Sequence, residues 1–132
     1  MATVVTGSCN CGGVQLEMTG PLRPVVACHC GQCRKQTGHF VAATRTRDSD
    51  IEISDSGTLK WYAASEDAKR GFCSTCGSAL FWKRNGSDHI SVMAGVLDGD
   101  AGGIKLDRHI FVDDKGDYYE IADDVPLYPR AD

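Results

Sequence analysis

The chain of 132 residues carries 18 acidic against 14 basic side chains, a formal net charge of −4. That balance lacks the basic footprint of a protein that grips a phosphate backbone, so nucleic acid is disfavoured as a partner. A single domain over residues 1–132 with a modest core is expected. The N-terminal stretch Met1-Ala2-Thr3-Val4-Val5 has no basic or apolar leader segment, and no apolar run approaches the ~20 residues of a membrane helix. A reducing cytoplasm and no membrane contact are the expectation.

In chain order, Gly7-Ser8-Cys9-Asn10-Cys11-Gly12-Gly13 reads as a tight turn whose glycines let backbone N–H groups approach sulfur. Val14, Leu16 and Met18 alternate with Gln15 and Glu17, the pattern of a half-buried strand. Val25-Val26-Ala27 is a short apolar strand that delivers the chain into Cys28, and residues 31–37 are read as a turn or short helix ended by Gly38. Strands are expected over 40–44, 51–54 and 58–62, with a turn at Gly57, and a polar stretch then runs from Ser65 to Arg70. Asn85-Gly86 between the β-prone runs 79–83 and 89–93 predicts a hairpin. A loop over 95–103, a late strand over 104–112, a turn at 113–116 and an irregular tail from Tyr118 complete a mainly β, antiparallel reading with little helix.

The chemistry gathers on cysteine. Cys28, Cys30 and Cys33 pack three thiols into six residues, and zinc suits such a set because it binds thiolate strongly and accepts tetrahedral geometry. Cys9 and Cys11 form a C-x-C pair, and Cys73 and Cys76 a C-x-x-C pair closed by Gly77. The seven cysteines thus divide into a closed four-thiolate site of structural type and an open three-thiolate site of catalytic type, two zinc ions per chain. A disulfide set would leave one thiol over, and C-x-C is too short for an unstrained bridge. Iron–sulfur ligation is the other alternative.

Arg34 and Lys35 follow Cys33 and would favour its thiolate, or simply form a solvated face. His29, between two ligands, is expected to point away and to support them rather than bind metal. His39 is either a proton shuttle or a strand histidine with a backbone partner, the latter favoured. His89 and His109 fall in expected strands away from the cysteines and are assigned no chemistry. Trp61, Phe72, Phe81 and Trp82 read as core or pocket wall.

The frame Cys9-x-Cys11-Gly12-Gly13-Val14, Cys28-His29-Cys30-x-x-Cys33 and Phe72-Cys73-x-x-Cys76-Gly77 resembles the glutathione-dependent formaldehyde-activating enzyme family, also called the centromere protein V type domain. The resemblance runs from about Thr6 to Tyr119 and includes the late strand His109-Ile110-Phe111-Val112. It implies a β-tent fold of antiparallel sheets stitched by zinc. Cys9, Cys11, Cys73 and Cys76 would hold the structural ion, and Cys28, Cys30 and Cys33 the catalytic one. The implied reaction joins formaldehyde and glutathione into S-hydroxymethylglutathione, a carbon–sulfur lyase reaction run in reverse. The partner is then a small-molecule substrate such as a glutathione adduct, and the chain a monomer or homodimer. Glutathione's carboxylates would be met by candidates among Arg34, Lys35, Arg45, Arg47, Lys69 and Arg70. A non-catalytic zinc module that binds a partner, and a thiol redox switch at Cys28, Cys30 and Cys33, are the competing readings.

Overall fold

The computed structural model describes residues 4–131; Met1 to Thr3, read above for leader features, and Asp132 at the end of the tail lie outside the described residues. The strands are β1 (Val5–Ser8), β2 (Val14–Met18), β3 (Val25–Cys28), β4 (Val41–Arg47), β5 (Ile51–Asp55), β6 (Leu59–Ala63), β7 (Ala68–Cys73), β8 (Ala79–Arg84), β9 (His89–Met93) and β10 (Leu106–Ile110). Helix α1 (Gly31–Thr37) sits between β3 and β4. They form a three-stranded sheet, β1-β2-β5, and a seven-stranded sheet, β10-β3-β4-β9-β8-β7-β6. This is the mainly β architecture expected, with a single short α-helix among the described residues.

Period-two alternation decides which face each strand buries. In β2, Val14, Leu16 and Met18 are buried while Gln15 and Glu17 face water. Those apolar residues meet Leu80, Phe81, Ile90 and Val92 of the large sheet in the principal core, which also takes in Cys9 and Cys73. The register of the large sheet assigns the other face. Val26 lies opposite Ala43, Cys28 opposite Val41, Ala43 opposite Met93, Ser91 opposite Trp82 and Trp82 opposite Arg70. Every one of those residues lines a single cavity on the side away from the small sheet. One sheet face therefore packs the core, and its reverse builds a site.

The antiparallel expectation fails at one place. β10 runs parallel to β3. It arrives from the long connection after β9 and joins the far edge of the sheet beside β3, where it also covers His29. Two strands went unread. β1 begins before the expected turn over 7–13 and takes Gly7 and Ser8 from it. β7 includes the end of the run taken as merely polar, because Ala68, Arg70 and Gly71 are buried between β6 and β8. Residue 40 stands outside β4, and Val112 begins a 3-10 turn after β10. The irregular tail docks on β10 through His109 N–H to Pro126 O, Tyr128 N–H to His109 O and Phe111 N–H to Arg130 O. Among the described residues no helix is long and apolar enough to cross a membrane.

Candidate functional site

The first cysteine cluster is made by two turns at the ends of strands. Cys9 follows β1, and the turn back into β2 is closed by Gly12 N–H to Cys9 O at 3.1 Å, with Gly12 at φ 81°. Cys73 ends β7, and Gly77, at φ 79°, returns its N–H to Cys73 O at 2.8 Å. Both glycines occupy backbone space that a side chain disfavours. The Sγ atoms of Cys9, Cys11, Cys73 and Cys76 all lie within 4.8 Å of one another. Cys11 Sγ stands 3.7 Å from both Cys9 Sγ and Cys73 Sγ. A tetrahedral zinc–thiolate centre with bonds of about 2.3 Å has sulfurs about 3.8 Å apart, so the donor set fits that ion. Polar groups attend the sulfurs: Val14 N–H donates to Cys9 Sγ at 3.3 Å, and the Ser78 hydroxyl lies 3.2 Å from Cys76 Sγ. The Ser78 contacts bring the Cys76 thiol down to about 5, favouring thiolate.

The second cluster sits where β3 passes into α1. Cys28 is the last residue of β3, Cys30 caps the helix by accepting the Cys33 N–H on its Sγ at 3.3 Å, and Cys33 is buried in the first turn. Their three sulfurs also lie within 4.8 Å of one another. Hydrogen bonds from Cys28 and then Cys33 hold the Cys30 thiol far below the ordinary range, while Cys28 is pushed far up. Arg70 reaches across from β7. Its Nη2 donates to Cys33 Sγ at 3.4 Å, and Nε and Nη2 together grip Gln32 Oε1 at 3.0 and 2.8 Å. All three cysteines open on a cavity of about 320 Å³ walled by Val26, Val41, Met93, Ile110, Phe111 and Trp82. Phe111 holds φ 55°, ψ 38°, a costly conformation for a bulky residue, at the rim of this cavity.

Placement of the remaining candidates is mixed. Arg34 turns away to donate to Asp114 O at 3.1 Å, so the cation beside Cys33 is Arg70 and not Arg34. Of the six basic residues considered for carboxylate binding, Arg70 lines the cavity; Arg34, Lys35, Arg45, Arg47 and Lys69 do not. Arg23 does, and its sequence context between two prolines gave no signal. Trp82 is pocket wall, while Trp61 and Phe81 stack at 5.9 Å.

His29 is fully buried and points away from the cavity, as alternation requires. Its Nε2 lies 2.8 Å from His109 Nδ1, and its Nδ1 meets the Tyr119 hydroxyl. His109 Nε2 lies 2.9 Å from Asp123 Oδ2. His109 is thus joined to the segment that carries Cys28 and Cys30, against the expectation that it lies apart from the cysteines. The proton order follows from the ends of the chain. Asp123, held below the usual carboxylate range first by its His109 hydrogen bond, is an acceptor, so His109 Nε2–H donates to it. With both rings neutral, His109 Nδ1 accepts from His29 Nε2–H and His29 Nδ1 accepts the Tyr119 O–H. Burial, and then His109, brings His29 down to about 4, which keeps its ring neutral near pH 7. His39 is exposed, stacks among Phe40, Tyr118 and Tyr119, and bonds the Tyr118 hydroxyl; it does not line the cavity. His89 pairs with Asp88 at 2.7 Å.

The chain is similar to known proteins. The family model described as glutathione-dependent formaldehyde-activating enzyme matches residues 4–114. A Schizosaccharomyces pombe protein named as an uncharacterized lyase is 28% identical over 124 residues, covering 92% of this chain and 88% of the relative. A crystal structure of a Rhodobacter sphaeroides protein superimposes with a TM-score of 0.56 at 28% identity, covering 71% of this chain and 88% of that one. The matched segment contains both cysteine clusters and the strands that carry them, and on that basis the chain belongs to the glutathione-dependent formaldehyde-activating enzyme family.

Proposed function

We propose that the chain, acting as one domain over residues 1–132, is a zinc-dependent carbon–sulfur lyase or synthase. Its substrates would be formaldehyde and glutathione, or a closely related small thiol and its adduct. The carrying observation is the inequality of the two clusters: four sulfurs enclose one centre, and three sulfurs edge a cavity of small-molecule size. The family match and the lyase-named relative support the same class of reaction.

Cys28, Cys30 and Cys33 would hold the catalytic ion, and Cys9, Cys11, Cys73 and Cys76 the structural one. Zinc bound at the trio would supply Lewis acidity, favouring the thiolate of the substrate or polarising the aldehyde oxygen. The residues of the chain supply the rest. Arg70 favours the charged form of Cys33 and, through Gln32, fixes the helix turn that bears it. The apolar walls restrict water around the reacting atoms and hold thiol and aldehyde together. In the synthetic direction sulfur adds to the aldehyde carbon, the C=O π bond is spent, and the thiol proton ends on oxygen. The aldehyde reacts with thiols unaided, so orientation is the principal contribution asked of the protein.

Exchange-detected NMR of formaldehyde with glutathione, measured without protein, with protein and with Cys30→Ser, tests this. Acceleration by the wild-type chain and its loss in the variant is the expected result. An exchange rate equal to the spontaneous one with fully zinc-loaded protein overturns the reading for this substrate pair.

A further inference from the structure

We propose that Arg23 is the residue that holds a carboxylate of the substrate in the cavity beside Cys28, Cys30 and Cys33. This rests on the reading above that the cavity takes a small thiol or thiol adduct, and it narrows the class to those bearing an anionic group.

The argument is one of unspent donors. Two guanidinium groups, Arg23 and Arg70, line the cavity, and no Asp or Glu lines it among the described residues. Arg70 is committed to Gln32 and Cys33. Arg23 is not. Its Nη2 donates to Ala43 O at 3.0 Å, its Nε is enclosed by protein without a partner, and its Nη1 makes no hydrogen bond and is not enclosed, which leaves the Nη edge for a ligand. A guanidinium edge left unpaired beside an apolar cavity is held at a cost that an anionic ligand there would offset. Arg45 and Arg108 add positive potential, and Asp107, which favours the Arg23 cation through space, is itself shared with Arg108 Nε at 3.3 Å. Burial, then these two arginines, bring Arg23 down to about 10, so it remains a cation at neutral pH.

The residue is also rooted. Its backbone N–H donates to Arg45 O at 3.0 Å and its carbonyl accepts from Thr44 Oγ1 at 2.5 Å, tying it to β4 on the rim of the same sheet face that carries Cys28. A planar guanidinium on a fixed backbone suits a carboxylate, which accepts two parallel N–H bonds. Sulfur at the cysteine trio and carboxylate at Arg23 make a two-point site that a neutral thiol would occupy only halfway.

S-methylglutathione, which lacks a reactive thiol, and its dimethyl ester, which lacks the carboxylates, are suitable probes. Binding to the zinc-loaded full chain is followed by the Trp82 indole N–H resonance, since Trp82 lines the cavity. The acid is expected to shift that resonance with the ester much weaker, and Arg23→Gln is expected to weaken binding of the acid about tenfold or more. Arg23→Lys, which keeps the charge without the fork, is expected to fall between the two. Thermal unfolding of each variant separates a lost contact from a lost fold. Equal binding of acid and ester, affinity in Arg23→Gln within twofold of wild type, or no shift with wild type would each overturn the proposal. Arg23-dependent binding without catalysed condensation would leave the anion site standing and remove the reaction assigned above; condensation with an unchanged KM in Arg23→Gln would do the reverse.

Discussion

His29 Nε2 stands 2.8 Å from His109 Nδ1, and this contact fastens the ligand-bearing segment to β10 behind the site. Both rings are buried, and the chain continues outward to Asp123 on one side and Tyr119 on the other. Replacing His109 by Ala strands the His29 Nε2–H and deprives Asp123 of its donor. A loss of roughly 1–3 kcal/mol in urea unfolding is expected. The double variant with His29→Ala should cost less than the sum of the single changes, because the two rings share one network. Strict additivity would mean that the rings pack side by side without being coupled.

The two cysteine clusters should fail differently. Cys73→Ser removes a donor from the set that joins the turn after β1 to the end of β7, two segments far apart in the chain. Structural zinc contributes on the order of ten kcal/mol to small domains, so this variant is expected to lose the fold. Cys30→Ser is expected to keep it, with zinc per chain falling from two to one by metal analysis. Circular dichroism with metal counting checks both outcomes, and equal damage would contradict the division.

Much of this was legible in advance because cysteine spacing and strand alternation are local signals. The pattern Val14, Leu16, Met18, the Asn85-Gly86 hairpin and the helix closed by Gly38 at φ 87° are each set by a few adjacent residues. What escaped was set by partners distant in sequence. Arg70 looked like part of a polar run, yet it is buried because β6 and β8 flank it and Trp82 lies opposite. Arg23 gave no cue, since its place in the cavity depends on β3 and β4 pairing as they do. His109 meets His29 only because β10 crosses to the far edge and runs parallel to β3.

Arg70 provides a pH-dependent test. The Cys33 thiol is raised overall, with the Cys28 hydrogen bond and then that of Arg70 opposing the rise, and Arg70 also lowers Cys30 through space. Removing it lets protons compete with metal up to a higher pH, so the midpoint for metal loading of the trio should move upward in Arg70→Met. Loading of the four-cysteine cluster should be unmoved. A cobalt titration followed by thiolate charge-transfer absorption reads loading against pH in the wild type and in Arg70→Met, with Cys30→Ser isolating the four-cysteine cluster; an unmoved midpoint for the trio in Arg70→Met would contradict the assignment. Stability should also fall by roughly 2 kcal/mol, as Gln32 loses a charged donor.

Gly7 tests how closely β1 is held. A Cβ placed there would lie 2.5 Å from Val96 O and 3.3 Å from Leu97 Cα, and both are backbone atoms that cannot swing aside. The same contact is framed by the Gly7–Leu97 bridge and by Asp98 N–H donating to Thr6 O at 2.8 Å. Gly7→Ala is therefore expected to cost roughly 1–3 kcal/mol, despite adding one methyl group to a strand that would otherwise prefer alanine. Gly95→Ala, where the added carbon meets nothing within 4 Å, is the control and should be neutral or slightly stabilising. Because β1 leads directly into Cys9, the strain at Gly7 should also weaken metal retention by the four-cysteine cluster while sparing the trio. Thermal melts of the two variants, with chelator competition at each cluster, decide this: a Gly7→Ala protein that melts and holds metal like Gly95→Ala would show that the strand has room to spare.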